Sequence, residues 1–455
     1  MNSKRPRLTE GPVGRHLVDM TIPVLFGIST LMAQSLIDTW FIGQIGKEAL
    51  AAFGFGFPII MMVISVAIGL GAGTSSVVAR AIGRDDHIRA RRLSTDSLIL
   101  SFVLTLFIAV LGVLTIDPLF RALGAPEDML PMIGEFMTIM YLGIPFIVVG
   151  MVGMASMRAT GDTVLPGKLM VGGAVLNVVL DPILIFGVGP IPALGLNGAA
   201  YAALIARIII FLLTVYYLKK ADLLSFERPE SRDFVRSSRD IMHVGIPAAG
   251  TNVIVPLGAT LVTAMLARFG PDAVAGFAVA GRIESMVLVV FYALSSIIGP
   301  FVGQNLSAVK EDRIIESLRL CTLASIGIGA AITVLLAALS WTIPGWFTDS
   351  ESVMEVTKLF LWIVPISYAS YGMVMVMNAA FNGLGHPMPG VWVSTGRILL
   401  LYVPLAWVGG ELYGIPGIFG AYTLANIVTG IVAYVWAIRV AREACRKEMA
   451  AAPAT

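Results

Sequence analysis

The sequence predicts an all-α integral membrane protein, with twelve transmembrane helices in two pseudo-symmetric six-helix lobes. Three features carry this expectation: a composition suited to lipid, a series of apolar spans, and an internal duplication. Of 455 residues, 57% are hydrophobic and only 13% charged, and the mean hydropathy is +0.86, whereas a water-soluble chain keeps about a quarter of its residues charged. Lipid is therefore its main solvent. The 47 glycines agree, because small residues let membrane helices approach closely. A net charge of +2 is close to neutral, so the placement of charge is more informative than its total.

Crossing the hydrocarbon takes about 20 apolar residues, and such stretches fall at about 16–44, 54–79, 95–117, 131–156, 166–188 and 196–218. A polar, charged segment runs from Lys219 to Arg239. Six more spans follow, at about 240–267, 279–303, 318–345, 358–380, 390–411 and 416–438. The expected organisation is an N-lobe of residues 1–218 with helices 1–6, a cytoplasmic linker at 219–239, and a C-lobe of residues 240–455 with helices 7–12 and a basic tail. The N-terminus enters its first span without an A-x-A-like cleavage site, so it reads as a retained helix and not a signal peptide.

Positive charge collects in cytoplasmic connections. Four regions are basic: the N-terminus (Lys4, Arg5, Arg7, Arg15), the second connection (Arg84, Arg89, Arg91, Arg92), the linker (Lys219, Lys220, Arg228, Arg232, Arg236, Arg239) and the tail (Arg439, Arg442, Arg446, Lys447). In a twelve-span plan all four fall on one side. On the other side, Asp117, Glu127 and Asp128 face only Arg121, and Asp349 and Glu351 have no Lys or Arg beside them. Both termini are expected in the cytoplasm, in a multi-pass protein of the plasma membrane (the inner membrane of a prokaryote).

The duplication is legible by eye. Gly46-Lys-Glu-Ala49-Leu-Ala-Ala-Phe53 returns 224 residues later as Gly270-Pro-Asp-Ala273-Val-Ala-Gly-Phe277, and Thr21-Ile22-Pro23 as Gly245-Ile246-Pro247 (21 to 245). The same shift pairs Arg158-Ala-Thr-Gly161 with Asn382-Gly-Leu-Gly385. Further on the shift is 222, pairing Leu180-Asp181-Pro182 with Tyr402-Val403-Pro404 and Gly198-Ala199-Ala200 with Gly420-Ala421-Tyr422 (180 to 402). Two halves of the same orientation, related by an axis along the membrane normal, form a transporter architecture with the substrate path at or inside the lobes.

An ionisable residue in mid-membrane costs about 2.5 to 3.5 kcal/mol on insertion scales, so each one needs a reason. Asp38 lies deep in helix 1 and Asp181 in helix 5, and their counterparts in the second half are Val262 and Val403. The acidic pair therefore marks the first lobe as the working one. Asn177 and Asp181 are four apart and share a helix face, as do Gln34 and Asp38. Pro182 lacks a backbone N–H and frees the carbonyl of Val178 one turn back. Carboxylates, amides and a free carbonyl make an all-oxygen donor set, suited to Na⁺ or to proton exchange and ill suited to soft metals. Structural hydrogen bonding between helices is the plainer reading of the same two acids. No other metal spacing exists, since His16, His87, His243 and His386 are scattered and Cys321 and Cys445 lie far apart.

Other embedded groups are weaker signals. Arg207 and Arg397 read as counter-ions or as packed, snorkelling arginines. Arg282 and Glu284 read either as a structural pair or as part of the path. Met154 and Met157, with Met151, and Met373, Met375 and Met377 suit ordinary packing by default, or else a deformable lining for varied apolar ligands.

At these residues the chain resembles the multidrug and toxic compound extrusion family, MATE. The matching pieces are Ile37-Asp38-Thr-Trp-Phe-Ile-Gly43, Met157-Arg158-Ala-Thr-Gly161-Asp162-Thr163, Asn177 through Pro182, Gly198-Ala-Ala-Tyr-Ala202, Arg282-Ile-Glu284 and Pro300-Phe-Val-Gly-Gln304-Asn305. They occur in order over nearly the whole chain. The second half lacks embedded acids in helices 7 and 10, so the chain looks most like the DinF-type branch and less like the NorM-type. The resemblance implies a V-shaped pair of lobes that alternates access and exports drug-like, often cationic or amphipathic compounds. Inward H⁺ or Na⁺ would drive it, with Asp38, Asn177 and Asp181 as the cation site and no cofactor. The threonine that often follows the Gly-Ala-Ala element in the family is Ala203 here. Its absence favours H⁺ over Na⁺; Tyr141 in helix 4 is a candidate replacement polar group.

Two rival readings remain at this level. A lipid-linked oligosaccharide flippase shares the duplicated plan, but needs several cations for pyrophosphate, and only Arg207, Arg282 and Arg397 are embedded. An intramembrane aspartyl protease would use two membrane aspartates as a dyad, but Asp38 and Asp181 lack the Tyr-Asp and Gly-x-Gly-Asp contexts. Expected partners are small organic molecules and membrane lipid, with no nucleic acid, and the expected working form is a monomer that is not an enzyme.

Overall fold

The computed structural model describes residues 8–225 and 231–451, so Lys4, Arg5, Arg7 and Arg228 lie outside the described residues. Among the latter, twelve helices are long and apolar enough to cross a membrane, and the only β pairing is an isolated bridge between Val188 and Ile191. The spans are α1 (Val13–Ile45), α2 (Lys47–Gly83), α3 (His87–Leu114), α4 (Leu130–Ala159), α5 (Val164–Phe186) and α6 (Gly195–Lys220), then α7 (Arg232–Phe269). Next, α8 is built of two consecutive helices, Pro271–Val287 and Val289–Ser307, the second being the span itself. The set ends with α9 (Glu311–Leu339), α10 (Glu351–Gly383), α11 (Met388–Tyr413) and α12 (Ile415–Ala450). This is the all-α, twelve-span plan in two six-helix lobes that the sequence predicts. One detail differs: the basic C-terminus continues α12, and Cys445 on it is buried, as is Cys321, both as free thiols. Small Ala and Cys faces at Ala437, Ala441, Ala444 and Cys445 pack inward, while Arg439, Arg442 and Glu443 between them are exposed.

Packing divides the chain into two compact units. The first takes Ile22–Ile246; the second takes the described part of Pro6–Thr21 together with Pro247 onward. Helices α1 and α7 therefore each change unit partway along, beside Pro23 and Pro247, which are repeat equivalents. A proline inside a helix removes one backbone hydrogen bond and loosens the helix there.

The first unit is built around an apolar core that includes Phe120, Ile133, Phe136, Val148 and Val152. Glycines let the site-bearing helices close on one another. A Cβ on Gly167 of α5 would stand 2.6 Å from the carbonyl oxygen of Pro23 of α1, and one on Gly198 of α6 would stand 2.3 Å from that of Leu184 of α5. Neither contact tolerates a side chain, so α1, α5 and α6 meet backbone to backbone.

The second unit packs Val262, Phe291, Tyr368, Ala406 and Phe419 in its core, with the rings of Phe360 and Phe419 edge to face at 5.1 Å. Residues 8–11 are clamped onto this unit. Arg313 donates to the carbonyls of Leu8 (2.8 Å), Glu10 (3.2 Å) and Gly11 (2.6 Å). Lys310 donates to Thr9 O at 2.7 Å, and Asn305 to Leu8 O at 3.2 Å.

Candidate functional site

Helix periodicity brings the polar residues of the first unit to one place. Gln34 and Asp38 lie one turn apart on α1, and the Gln34 amide donates to Asp38 Oδ2 at 3.3 Å. Asn177 and Asp181 lie one turn apart on α5, where both are buried, 3% and 1% exposed. Gln34 also donates to Asn177 Oδ1, tying the two helices together. The carboxyls of Asp38 and Asp181 lie within hydrogen-bonding reach of each other. An ionised carboxylate only accepts, so two carboxyls at that distance need a proton or a cation between them. Asp38 is only half-buried, whereas Asp181 is enclosed and its Oδ2 has no partner. Asp38 is thus the accessible member and Asp181 the inner one.

The Asn177 amide fits two ways. In one orientation its oxygen accepts from Gln34. Turned by 180°, its NH2 reaches Asp38 Oδ1 at 3.1 Å and its oxygen accepts from the backbone N–H of Ala203 on α6 at 3.2 Å. The amide can therefore offer Asp38 either an acceptor or a donor. Ala203 reaches this cluster through its backbone N–H, and its side chain carries no hydroxyl oxygen.

The other sequence-selected residues lie elsewhere. Tyr141, 2% exposed, packs its ring where a Cβ on Gly112 would be 2.3 Å away, and lines a small recess with Arg207. Arg207 makes its recorded hydrogen bond to Met140 Sδ at 3.9 Å and acts on Asp38 through space. Met154 and Met157 are buried with Leu169, Leu218 and Leu223, which is ordinary helix packing. An open recess of about 740 Å³ in the first unit carries Asp117, Glu127 and Glu135 with Arg121, beside Leu130, Ile139 and Tyr201.

In the second unit Arg282 is exposed, while Glu284 on α8 accepts from the Tyr422 hydroxyl of α12 at 3.1 Å. Arg397 on α11 is 4% exposed; it donates to Asn426 Oδ1 at 3.0 Å and its guanidinium lies 4.5 Å from the centre of the Tyr371 ring. Asn426 in turn donates to Ser367 at 3.0 Å. Sequence reasoning overlooked Tyr371, Ser367, Tyr422 and Asn426. The available signal was the four-residue spacing of Tyr422 and Asn426, which puts both on one face of α12. Val262, the counterpart of Asp38, is fully buried in the apolar core. Among the described residues no group of three or more His, Cys, Asp or Glu could hold a metal ion.

A duplicated twelve-helix bundle with an embedded carboxyl pair on one half defines a membrane transporter. The MatE family model matches residues 23–183 and 247–408, one match in each half, and the chain belongs to the MATE family. It is 36% identical to a FAD transporter of Shewanella oneidensis, over 96% of this chain and 97% of that one. It is 26% identical to a probable multidrug resistance protein, YoeA, of Bacillus subtilis, over 91% of each. The fold superposes on the Vibrio cholerae MATE transporter VcmN in its bent form with a TM-score of 0.90 at 31% identity, covering 96% of this chain and 98% of that one. It also matches a transporter from Pyrococcus furiosus whose binding pocket is described as of reverse polarity, with a TM-score of 0.88 at 27% identity, covering 97% and 98%. Membership in this family of transporters sets aside the flippase and protease readings.

Proposed function

We propose that the protein is a secondary active exporter that exchanges inward H⁺ for outward organic compounds by alternating access, with Asp38, Asn177 and Asp181 as the coupling site and Gln34 as its brace. The observation that supports this reading is the approach of the Asp38 and Asp181 carboxyls, which needs a shared proton or cation. Protons are favoured over Na⁺ because position 203 offers a methyl group and no hydroxyl oxygen. Both termini are cytoplasmic in this reading, the membrane is a prokaryotic inner membrane, and the monomer is the working unit. The substrates are cationic or amphipathic organic compounds, for which the acidic recess of the first unit is a suitable lining.

The assay is dye efflux from vesicles holding the purified chain, with a pH gradient or a Na⁺ gradient imposed in turn. Efflux that follows the pH gradient is the expected result. Efflux that follows only Na⁺ makes the oxygen cluster a sodium site.

A second reading of the cargo is supported by sequence similarity. The flavin dinucleotide transporter is 36% identical to this chain, against 26% for the Bacillus multidrug protein. An anionic, ring-bearing cargo such as FAD is therefore to be tested beside cationic dyes in the same vesicles.

A further inference from the structure

The second unit contains a buried cation with only neutral hydrogen-bonding partners. A guanidinium carries five N–H donors and is always charged. The recorded contacts of Arg397 are the amide oxygen of Asn426 and the face of the Tyr371 ring, and its Nε is buried with no partner. A second polar group nearby, the hydroxyl of the fully buried Tyr368, also has no partner. Glu284 is close enough to act on Arg397 through space, yet its Oε1 already accepts from Tyr422. An enclosed charge without an anion is costly, and Arg397 lies in a π-helical turn, Gly396–Tyr402, a rare conformation that concentrates at functional positions.

The cluster is not fully enclosed. Arg397 and Tyr371 are 4% and 6% exposed, Glu284 and Tyr422 are partly buried, and Tyr292 is 41% exposed. Tyr402 and Tyr422 add rings whose centroids are 4.8 Å apart. A guanidinium against one ring, with a further ring pair in the same unit, suits a planar aromatic group that carries an anionic substituent, the ring stacking while the anion takes the charge-assisted hydrogen bonds.

We propose that the Arg397 cluster in the second unit is a binding site for the anionic group of an aromatic cargo molecule, with Arg397 taking the charge, Tyr371 holding the guanidinium in place, and the neighbouring acid Glu284 opposing the anion. The site is separate from the Asp38–Asp181 pair. It rests on the exporter reading only for calling the ligand cargo, and binding is measured without any gradient.

The test is titration of the purified full chain, in nanodiscs of neutral lipid, with FAD and with riboflavin, which keeps the flavin ring and lacks the phosphates. Wild type should bind FAD more tightly than riboflavin. Arg397→Gln should weaken FAD binding by about tenfold or more, the loss of one hydrogen bond to a charged group, and leave riboflavin within about twofold. Glu284→Gln should shift FAD the opposite way, toward tighter binding. Tyr371→Leu, which keeps the arginine and removes its ring support, should weaken FAD more than riboflavin and serves if Arg397→Gln does not fold. Equal losses for the two flavins, or no FAD binding by wild type, overturn the proposal. So does loss of FAD binding when phosphatidylglycerol is added to the nanodiscs, if Arg397→Gln abolishes that competition, because the site would then hold a lipid headgroup. Binding is read without a gradient and efflux with one, so failure of the coupling reading shows only in the gradient assay.

Discussion

Arg313 and Arg89 occupy equivalent positions of the two repeats, 224 residues apart (89 to 313), and each grips a segment from the opposite half of the sequence. Arg313 donates to three carbonyls between Leu8 and Gly11, whereas Arg89 meets the Asp240 carboxylate at 3.4 Å. The segments they hold are the residues just before α1 and the N-terminal part of α7, the two helices that change unit beside Pro23 and Pro247. The duplication thus preserves a clamp while changing its chemistry, from a multidentate grip on backbone to a single ion pair.

The clamps should therefore differ in strength. Arg313→Ala should release residues 8–11 and cost about 1–3 kcal/mol, because several charge-assisted bonds are lost together. Arg89→Ala should cost under about 1 kcal/mol, as its single ion pair is partly solvated. Hydrogen exchange at residues 8–20 is the measurement, and equal protection in Arg313→Ala and wild type would contradict the assignment.

Asp38→Asn and Asp181→Asn should each abolish gradient-driven efflux while the protein still inserts and folds, since removing an embedded acid relieves an insertion cost of about 2.5–3.5 kcal/mol. Survival of cells on a toxic dye at the wild-type level with either variant would remove that residue from the coupling site.

The second-unit counterparts should behave differently. Val262→Ala leaves a void in a fully buried position and should lower stability by about 1–3 kcal/mol, yet it should leave the ratio of protons to cargo unchanged. Val403, which is half-buried, should cost less. Loss of coupling in either valine variant at normal expression would mean that both halves carry the ion chemistry.

Much of this was legible in the sequence because lipid makes the pattern simple: apolar spans, basic connections and a constant repeat shift fix the helices, and i, i+4 spacing puts Gln34 with Asp38 and Asn177 with Asp181. The meeting of those two faces follows from Gly167, whose role as a backbone contact with Pro23 needs three dimensions to see. The Arg397 cluster was not legible. Its members come from α8, α10, α11 and α12, no local spacing joins them, and the π-helical turn at Gly396–Tyr402 shifts the helix faces away from regular periodicity. Tyr141 shows the same limit, since its direction depends on the space opposite Gly112.

Ala203 offers a gain-of-function test. Its backbone N–H lies 3.2 Å from the Asn177 amide, so Ala203→Thr would add a hydroxyl oxygen to a residue next to Asn177, and hard, oxygen-rich donor sets favour alkali cations. Efflux by the variant should gain a dependence on a Na⁺ gradient that wild type lacks. An unchanged ion response, with normal expression, would mean that position 203 does not choose the coupling ion.

The final expectation is proton linkage. If H⁺ is the coupling ion, a cationic cargo that prefers the ionised carboxyl pair competes with a proton shared by Asp38 and Asp181, and proton binding and cargo binding must oppose one another by the same factor in each direction. Raising the proton concentration fills the pair and weakens cargo binding; lowering it empties the pair and strengthens binding. On purified protein without any gradient, affinity for a cationic dye should therefore fall as pH falls, and Asp38→Asn, which removes one of the two competing carboxyls, should flatten the curve. The same titration with Na⁺ varied at constant pH separates the two ions. If dye affinity stays constant from acidic to mildly alkaline pH and responds to Na⁺ alone, the competing ion is sodium, and the carboxyls of Asp38 and Asp181 are held together by a metal cation in place of a proton.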